Sequence, residues 1–121
     1  MAKVFLDANI FISLVEKRKP IDTKLLYTHS LYLSPLSIHI LTYLYKYRIP
    51  DERLADIHKF FRVVPFDLRL TVKALGGPTI DFEDNIQLHS AAEAECDIFL
   101  TEDAKLLRMK FFGKTRIATG A

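Results

Sequence analysis

One rhythm constrains this 121-residue chain more than any other feature: short apolar runs alternate with stretches of helical periodicity. Val4-Phe5-Leu6 and Ile98-Phe99-Leu100 are too short for helices, and each ends in a polar residue, Asp7 and Thr101. Leu31 to Ser34 and Val63 to Phe66 have the same strand-like character, and the tail has room for one more short strand. Between them lie helical segments: Ile10 to Glu16, stopped by Pro20; Asp22 to His29; Pro35 to Tyr47; Asp51 to Phe61, opened by Pro50; Asp67 to Leu75, ended by Gly76-Gly77-Pro78; Asp81 to about Glu95; and Glu102 to Met109. Short apolar strands alternating with helices imply βαβ units around a parallel sheet. The expectation is a single α/β domain over residues 1–121, with no internal repeat, low-complexity tract or linker.

Composition narrows the class. Half the residues are apolar and 26% are charged, which excludes a disordered or fibrous chain. Cys96 is the only cysteine, so an intrachain disulfide and a cysteine-based zinc site are excluded, and a cytoplasmic setting fits. The opening MAKVFLDANIFISLVEKRKP lacks a basic region before a long apolar one and does not read as a signal peptide. No stretch approaches the roughly 18 apolar residues of a membrane helix, so no membrane association is expected.

The net charge of +2 is too small to mark a general polyanion binder, but it hides a pattern. Residues 81–103 hold Asp81, Glu83, Asp84, Glu93, Glu95, Asp97, Glu102 and Asp103 with no Lys or Arg, whereas 104–121 hold five bases and no acid. Solvated helix faces give such blocks, and so does an acidic site flanked by basic surface. Nucleic-acid chemistry with a metal needs both charges, carboxylates for the ion and Lys or Arg for phosphates.

Sites in open parallel sheets form beyond the carboxyl ends of the strands. Asp7 follows the first strand there, Asp103 follows the Ile98–Thr101 strand, and Asp84 lies in the first turn of the preceding helix. Carboxylates drawn together repel, and a hard divalent cation such as Mg²⁺ or Mn²⁺ removes that repulsion. Each acid also has a structural reading. Asp81 with Asp84 resembles a helix cap, and Thr101 with Asp103 can cap the last helix. Asp7 resists such a reading, because an acid after a buried strand is unfavourable unless paired or functional.

These segments resemble the PIN-domain ribonucleases, and within them the small VapC-type toxins and free-standing PIN proteins. The matching stretches are FLDANIFISL at 5–14, SPLSIHILTYLY at 34–45 and DFEDNIQLHSAAEAECDIFLTEDAKLL at 81–107. The resemblance implies a PIN-like three-layer α/β/α sandwich with a central parallel sheet. It also implies Mg²⁺- or Mn²⁺-dependent hydrolysis of RNA phosphodiesters, and for toxin members a cognate antitoxin and a homodimer. Carried over by position, Asp7, Asp84 and Asp103 match the family's metal-binding acids, with Asp81 beside them. Asn9 matches the polar residue that helps hold the first acid, and Thr101 the residue that supports the last. Lys17, Arg18, Lys105 and Arg108 are candidate contacts to the RNA backbone.

One position departs from the pattern. The family carries a Glu in the helix after the Ser-Pro motif, and here that place falls near Ile40, with no acid from Leu31 to Pro50. Asp81 is the better substitute, since Glu83 lies about 100° round the helix from Asp84. His39 reads more simply as a packed residue. The alternative is therefore a degenerate, non-catalytic PIN domain that binds RNA or a protein partner. A haloacid-dehalogenase reading fails because Asn9 stands where a second Asp is needed, and a receiver-domain reading lacks its acidic pair. Tyr43 and Tyr47 share a predicted helical face and read as packing or dimer contacts rather than base-stacking rings. The helix over 36–47, apolar nearly all round, hints at a homodimer.

Overall fold

The computed structural model describes residues 1–16 and 28–121. Lys17 and Arg18, and most of the Asp22–His29 segment, lie outside the described residues. In chain order the elements are β1 (Lys3–Leu6), α1 (Ala8–Glu16), β2 (Ser30–Leu33), α2 (Pro35–Leu44), α3 (Glu52–Ala55), a 3₁₀ turn (Ile57–Lys59), β3 (Arg62–Val63), α4 (Leu68–Leu75), α5 (Phe82–Glu93), β4 (Ile98–Leu100), α6 (Ala104–Met109), β5 (Phe111–Phe112) and β6 (Thr115–Ala118).

One sheet runs in the order β3-β2-β1-β4-β6-β5. All its pairings are parallel except β5 with β6. The expected α/β fold with a central parallel sheet is thus present, closed at one edge by an antiparallel hairpin. Side chains alternate along β1 and so serve two cores. Val4 and Leu6 pack with Phe11, Ile12, Leu31, Leu33 and Leu41, which belong to α1, β2 and α2. Phe5 turns to the other face, where it packs with Leu88, Ala91, Phe99, Leu106 and Ile117 from α5, β4, α6 and β6. The Phe5 and Phe99 rings stack at 5.6 Å across the neighbouring strands. A small third cluster, Leu70, Ala74 and Ile86, fastens α4 to α5.

Four expectations are corrected. The predicted helix over Asp51 to Phe61 is instead the single turn α3, which Asp51 caps through the Leu54 N–H, followed by the 3₁₀ turn that buries Ile57. The predicted Val63 to Phe66 strand is only Arg62–Val63, since Pro65 has no N–H to give a ladder. Helix α2 ends at Leu44 rather than Tyr47, because Lys46 takes a left-handed φ of 52°. The tail holds two short strands rather than one, turned at Gly113, whose φ of 59° suits a glycine. Among the described residues, no helix is long and apolar enough to cross a membrane.

Candidate functional site

Strands β1 and β4 run parallel and in register, Leu6 beside Leu100, so the next residues leave the sheet together at its carboxyl edge. The Asp7 N–H donates to the Leu100 carbonyl at 3.0 Å, and the Thr101 N–H to the Ala118 carbonyl at 3.0 Å. Pairing fixed by the backbone thus sets an acid and a hydroxyl side by side although they are 94 positions apart. The Thr101 hydroxyl donates to Asp7 Oδ2 at 2.7 Å, and the Ala8 N–H donates to Asp7 Oδ1 at 2.8 Å. Thr101 Oγ1 in turn accepts the Asp103 N–H at 3.0 Å. Thr101 therefore links the first and last acids and is not a helix cap, correcting that structural reading.

Asp103 is the cap of α6 instead, its Oδ1 accepting the Lys105 N–H at 2.8 Å. Asp81 caps α5 and accepts the Asp84 N–H at 2.9 Å, as the cap reading expected. That cap leaves the Asp84 carboxyl half-buried in the first turn of α5. The structural and chemical readings of Asp81 and Asp84 are compatible, since the cap positions the acid that follows it.

Electrostatics bring the four carboxylates together. Burial pushes the Asp7 carboxyl above the ordinary range, the Thr101 and Ala8 hydrogen bonds draw it back, and Asp103 and Asp81 add repulsion. Asp84 is pushed up to about 6, first by desolvation and then by Asp81, Asp7, Asp103 and Glu83. Acids from three separate segments therefore share one field. Among the described residues, no group of three or more His, Cys, Asp or Glu side chains lies close enough to hold a metal ion. The donors are all carboxylate oxygens, which suit a hard cation. Mg²⁺ in general is held by one or two carboxylates and keeps several waters. The fit is therefore one of donor chemistry alone.

The other expected residues stand as follows. Asn9 is exposed on the first turn of α1, and the hydrogen bonds that hold Asp7 come from Ala8 and Thr101, not from Asn9. Lys105 and Arg108 lie exposed on α6, the helix that Asp103 opens. Tyr47 is set aside from nucleic-acid contact: its hydroxyl donates to Glu16 Oε1 and accepts from Arg53 Nη2 at 2.6 Å. Ile40 lines a groove of about 570 Å³ with Leu36, His39, Tyr43, Leu44 and Glu83. Sequence reasoning gave no role to Gln87, which is 2% exposed and donates to Ser37 Oγ at 3.0 Å, tying α5 to α2 one turn behind Asp84. Among the described residues its Oε1 has no partner. The signal was a Gln three positions after Asp84, on the same helix face.

Three comparisons with known proteins bear on this arrangement. A family model described as PIN domain matches residues 4–112. No curated protein matches the chain. Among solved structures, a chain of VapBC2 from Rickettsia felis, bound to a DNA fragment from their promoter, superposes with a TM-score of 0.64. The alignment covers 96% of this chain and 97% of that one at 16% identity, a likeness of fold.

Proposed function

Because the chain belongs to the PIN domain family, whose members are generally nucleases and typically use divalent metal ions, we propose that it is a metal-dependent endoribonuclease that hydrolyses RNA phosphodiesters. The observation that carries this reading is the gathering of acids at the carboxyl edge, where Thr101 links Asp7 to Asp103 and Asp81 caps the turn that holds Asp84, whose carboxyl is pushed up to about 6 first by burial and then by Asp81, Asp7 and Asp103. Asp7, Asp84 and Asp103, with Asp81 beside them, are the residues to hold Mg²⁺ or Mn²⁺. When bound, such an ion lowers the pKa of its water and stabilises charge gathering on a phosphoryl group. The chain's own residues do the rest. Thr101 holds the Asp7 carboxylate in one orientation and keeps Asp103 beside it. Asp81 sets the first turn of α5 and so aims Asp84. Lys105 and Arg108, on the exposed side of α6, pair with backbone phosphates, and Lys17 and Arg18 belong to the same role. Asn9, exposed two positions after Asp7, helps tune the site.

Partners follow from the same reading. The chain acts in the cytoplasm as the toxin of a toxin–antitoxin pair, with a cognate antitoxin covering the acidic rim; the Rickettsia felis neighbour is from a VapBC2 structure. The protein forms a homodimer. Exposed apolar surface supports this, including Leu68, Val72 and Leu75 along the outer side of α4.

One observation favours a second reading. Ile40 occupies the place where the family carries an acid, so the same fold serves as a non-catalytic domain that binds RNA or protein. Incubation of a mixed structured RNA with the folded protein and Mn²⁺ separates the two. Cleavage that is lost with EDTA and in Asp84→Asn supports the nuclease. Intact RNA in the presence of folded wild-type protein overturns it and leaves the binding reading.

A further inference from the structure

With no acid near Ile40, this part of α2 presents an apolar surface beside Glu83. The groove it floors is apolar along Leu36, Ile40 and Leu44, and its polar wall is made by His39, Tyr43 and Glu83. The His39 and Tyr43 rings, one turn apart on α2, lie 27° from parallel with centroids 6.3 Å apart. The two rings stack on one another along this side of α2. Tyr43 is 74% exposed, unlike a ring used for packing. Glu83, which lines this groove, precedes Asp84 in the first turn of α5. Among the described residues, neither the Glu83 carboxylate nor the Tyr43 ring is engaged in a hydrogen bond or ion pair.

We propose that this groove seats an unpaired guanine of the RNA substrate, stacked on the His39–Tyr43 pair and read by Glu83. The proposal rests on the nuclease reading for the identity of the polymer. An exposed tyrosine ring backed by a histidine and bordered by apolar side chains fits a base face, which stacks on such rings irrespective of sequence. A carboxylate adds selection. Its two oxygens accept two parallel N–H groups, and guanine is the RNA base that presents adjacent donors, N1–H and N2–H, on its pairing edge. Adenine, cytosine and uracil place an acceptor next to each donor, so the same carboxylate repels part of their edges. An acid at position 40 would charge the floor on which the base lies; Ile40 leaves it dry. A duplex does not expose a base in this way, so the substrate is single-stranded or looped RNA.

The test is binding without cleavage. Fluorescence anisotropy is measured in EDTA with labelled ApGpA, ApApA and ApIpA, where inosine keeps N1–H and lacks the 2-amino group. We expect ApGpA to bind about tenfold more tightly than ApApA, with ApIpA between them. Glu83→Gln removes the guanine preference and keeps residual binding. Tyr43→Ala, at an exposed position that the fold does not need, weakens all three by about tenfold. Equal affinity of the wild type for the three oligonucleotides overturns the proposal, as does unchanged binding by Tyr43→Ala. So does a Tyr43→Ala protein that changes from dimer to monomer in sedimentation while its RNA affinity stays the same, which assigns the face to a second copy. Because no metal is present, the outcome is separate from catalysis. A protein that prefers guanine yet cuts nothing with Mn²⁺ keeps this inference and loses the nuclease, and one that cuts without base preference does the reverse.

Discussion

The two ends of the central strands carry the same kinds of side chain and treat them in opposite ways. At the amino edge, Asp97 stands exposed ahead of β4 and its Oδ2 accepts the Lys3 N–H at 2.8 Å. Thr115, at the start of β6, donates its hydroxyl to the Cys96 carbonyl at 2.8 Å. Each polar group there satisfies a backbone partner and finishes the sheet. At the carboxyl edge, Thr101 donates not to a carbonyl but to a buried carboxylate, and three more acids lie within its field. The difference shows where this fold accepts unfavourable electrostatics. One edge is arranged for stability, and the other holds charge that the apo protein would be more stable without.

The sharpest way to break this comparison is to neutralise one acid at each edge. Asp84→Asn and Asp7→Asn are expected to lower Mn²⁺-dependent RNA cleavage by about 10²-fold or more. Asp97→Asn, at the other edge, leaves cleavage at the wild-type rate. Equal losses in all three, with folding confirmed by circular dichroism, would mean that the carboxyl edge is not the site.

A smaller effect compares the two threonines. Thr101→Val removes a hydrogen bond to a buried carboxylate and is expected to destabilise the fold by about 2–3 kcal/mol at pH 7 in urea denaturation. Thr115→Val loses a bond to a neutral carbonyl and should cost about 1 kcal/mol. The ranking is the point: a larger loss at Thr115 would place the greater strain at the wrong edge.

Smaller again is the pH effect. The folded pKa of Asp84 is raised, so its contribution to stability is complete below the unfolded value near 4 and declines as pH rises through about 6. Asp7 is raised in the same direction. The apo protein should therefore melt lower at pH 7.5 than at pH 5. Asp84→Asn should remove part of that slope, gaining about 1 kcal/mol at pH 7.5 after discounting for solvent screening. Millimolar Mn²⁺ should raise the melting temperature of the wild type at pH 7.5 and do less for the variant. A melting temperature independent of pH from 5 to 7.5 would show that the acids do not share a field.

Much of this arrangement was legible in the residues, and for identifiable reasons. β1, β4 and α5 follow from local pattern: uniformly apolar runs bounded by polar residues, and Asp81 three positions before Asp84. Asp7 stood out because a carboxylate directly after a buried strand needs a partner. Boundaries failed where one local conformation outweighed periodicity, as at Lys46, where a left-handed turn stops α2 while Tyr43 and Tyr47 still keep helical spacing. Asn9 was expected to hold Asp7, but it is Ala8 and Thr101 that do so. Neither bond is visible from spacing, since one is a backbone N–H and the other comes from the neighbouring strand. Gln87 stands in the matching 81–107 stretch, but its bond to Ser37 was not legible, because it depends on two helices meeting.

The sequence by itself determined the elements and which acids stand at their ends, because strand burial and helix capping are decided by residues within a few positions of one another. Only the tertiary structure decided who partners whom. The register of Leu6 against Leu100 brings the Thr101 hydroxyl to Asp7, and the packing of α5 against α2 sets Glu83 beside Ile40. These pairings join residues tens of positions apart, through backbone ladders and core packing whose geometry no short stretch of sequence contains.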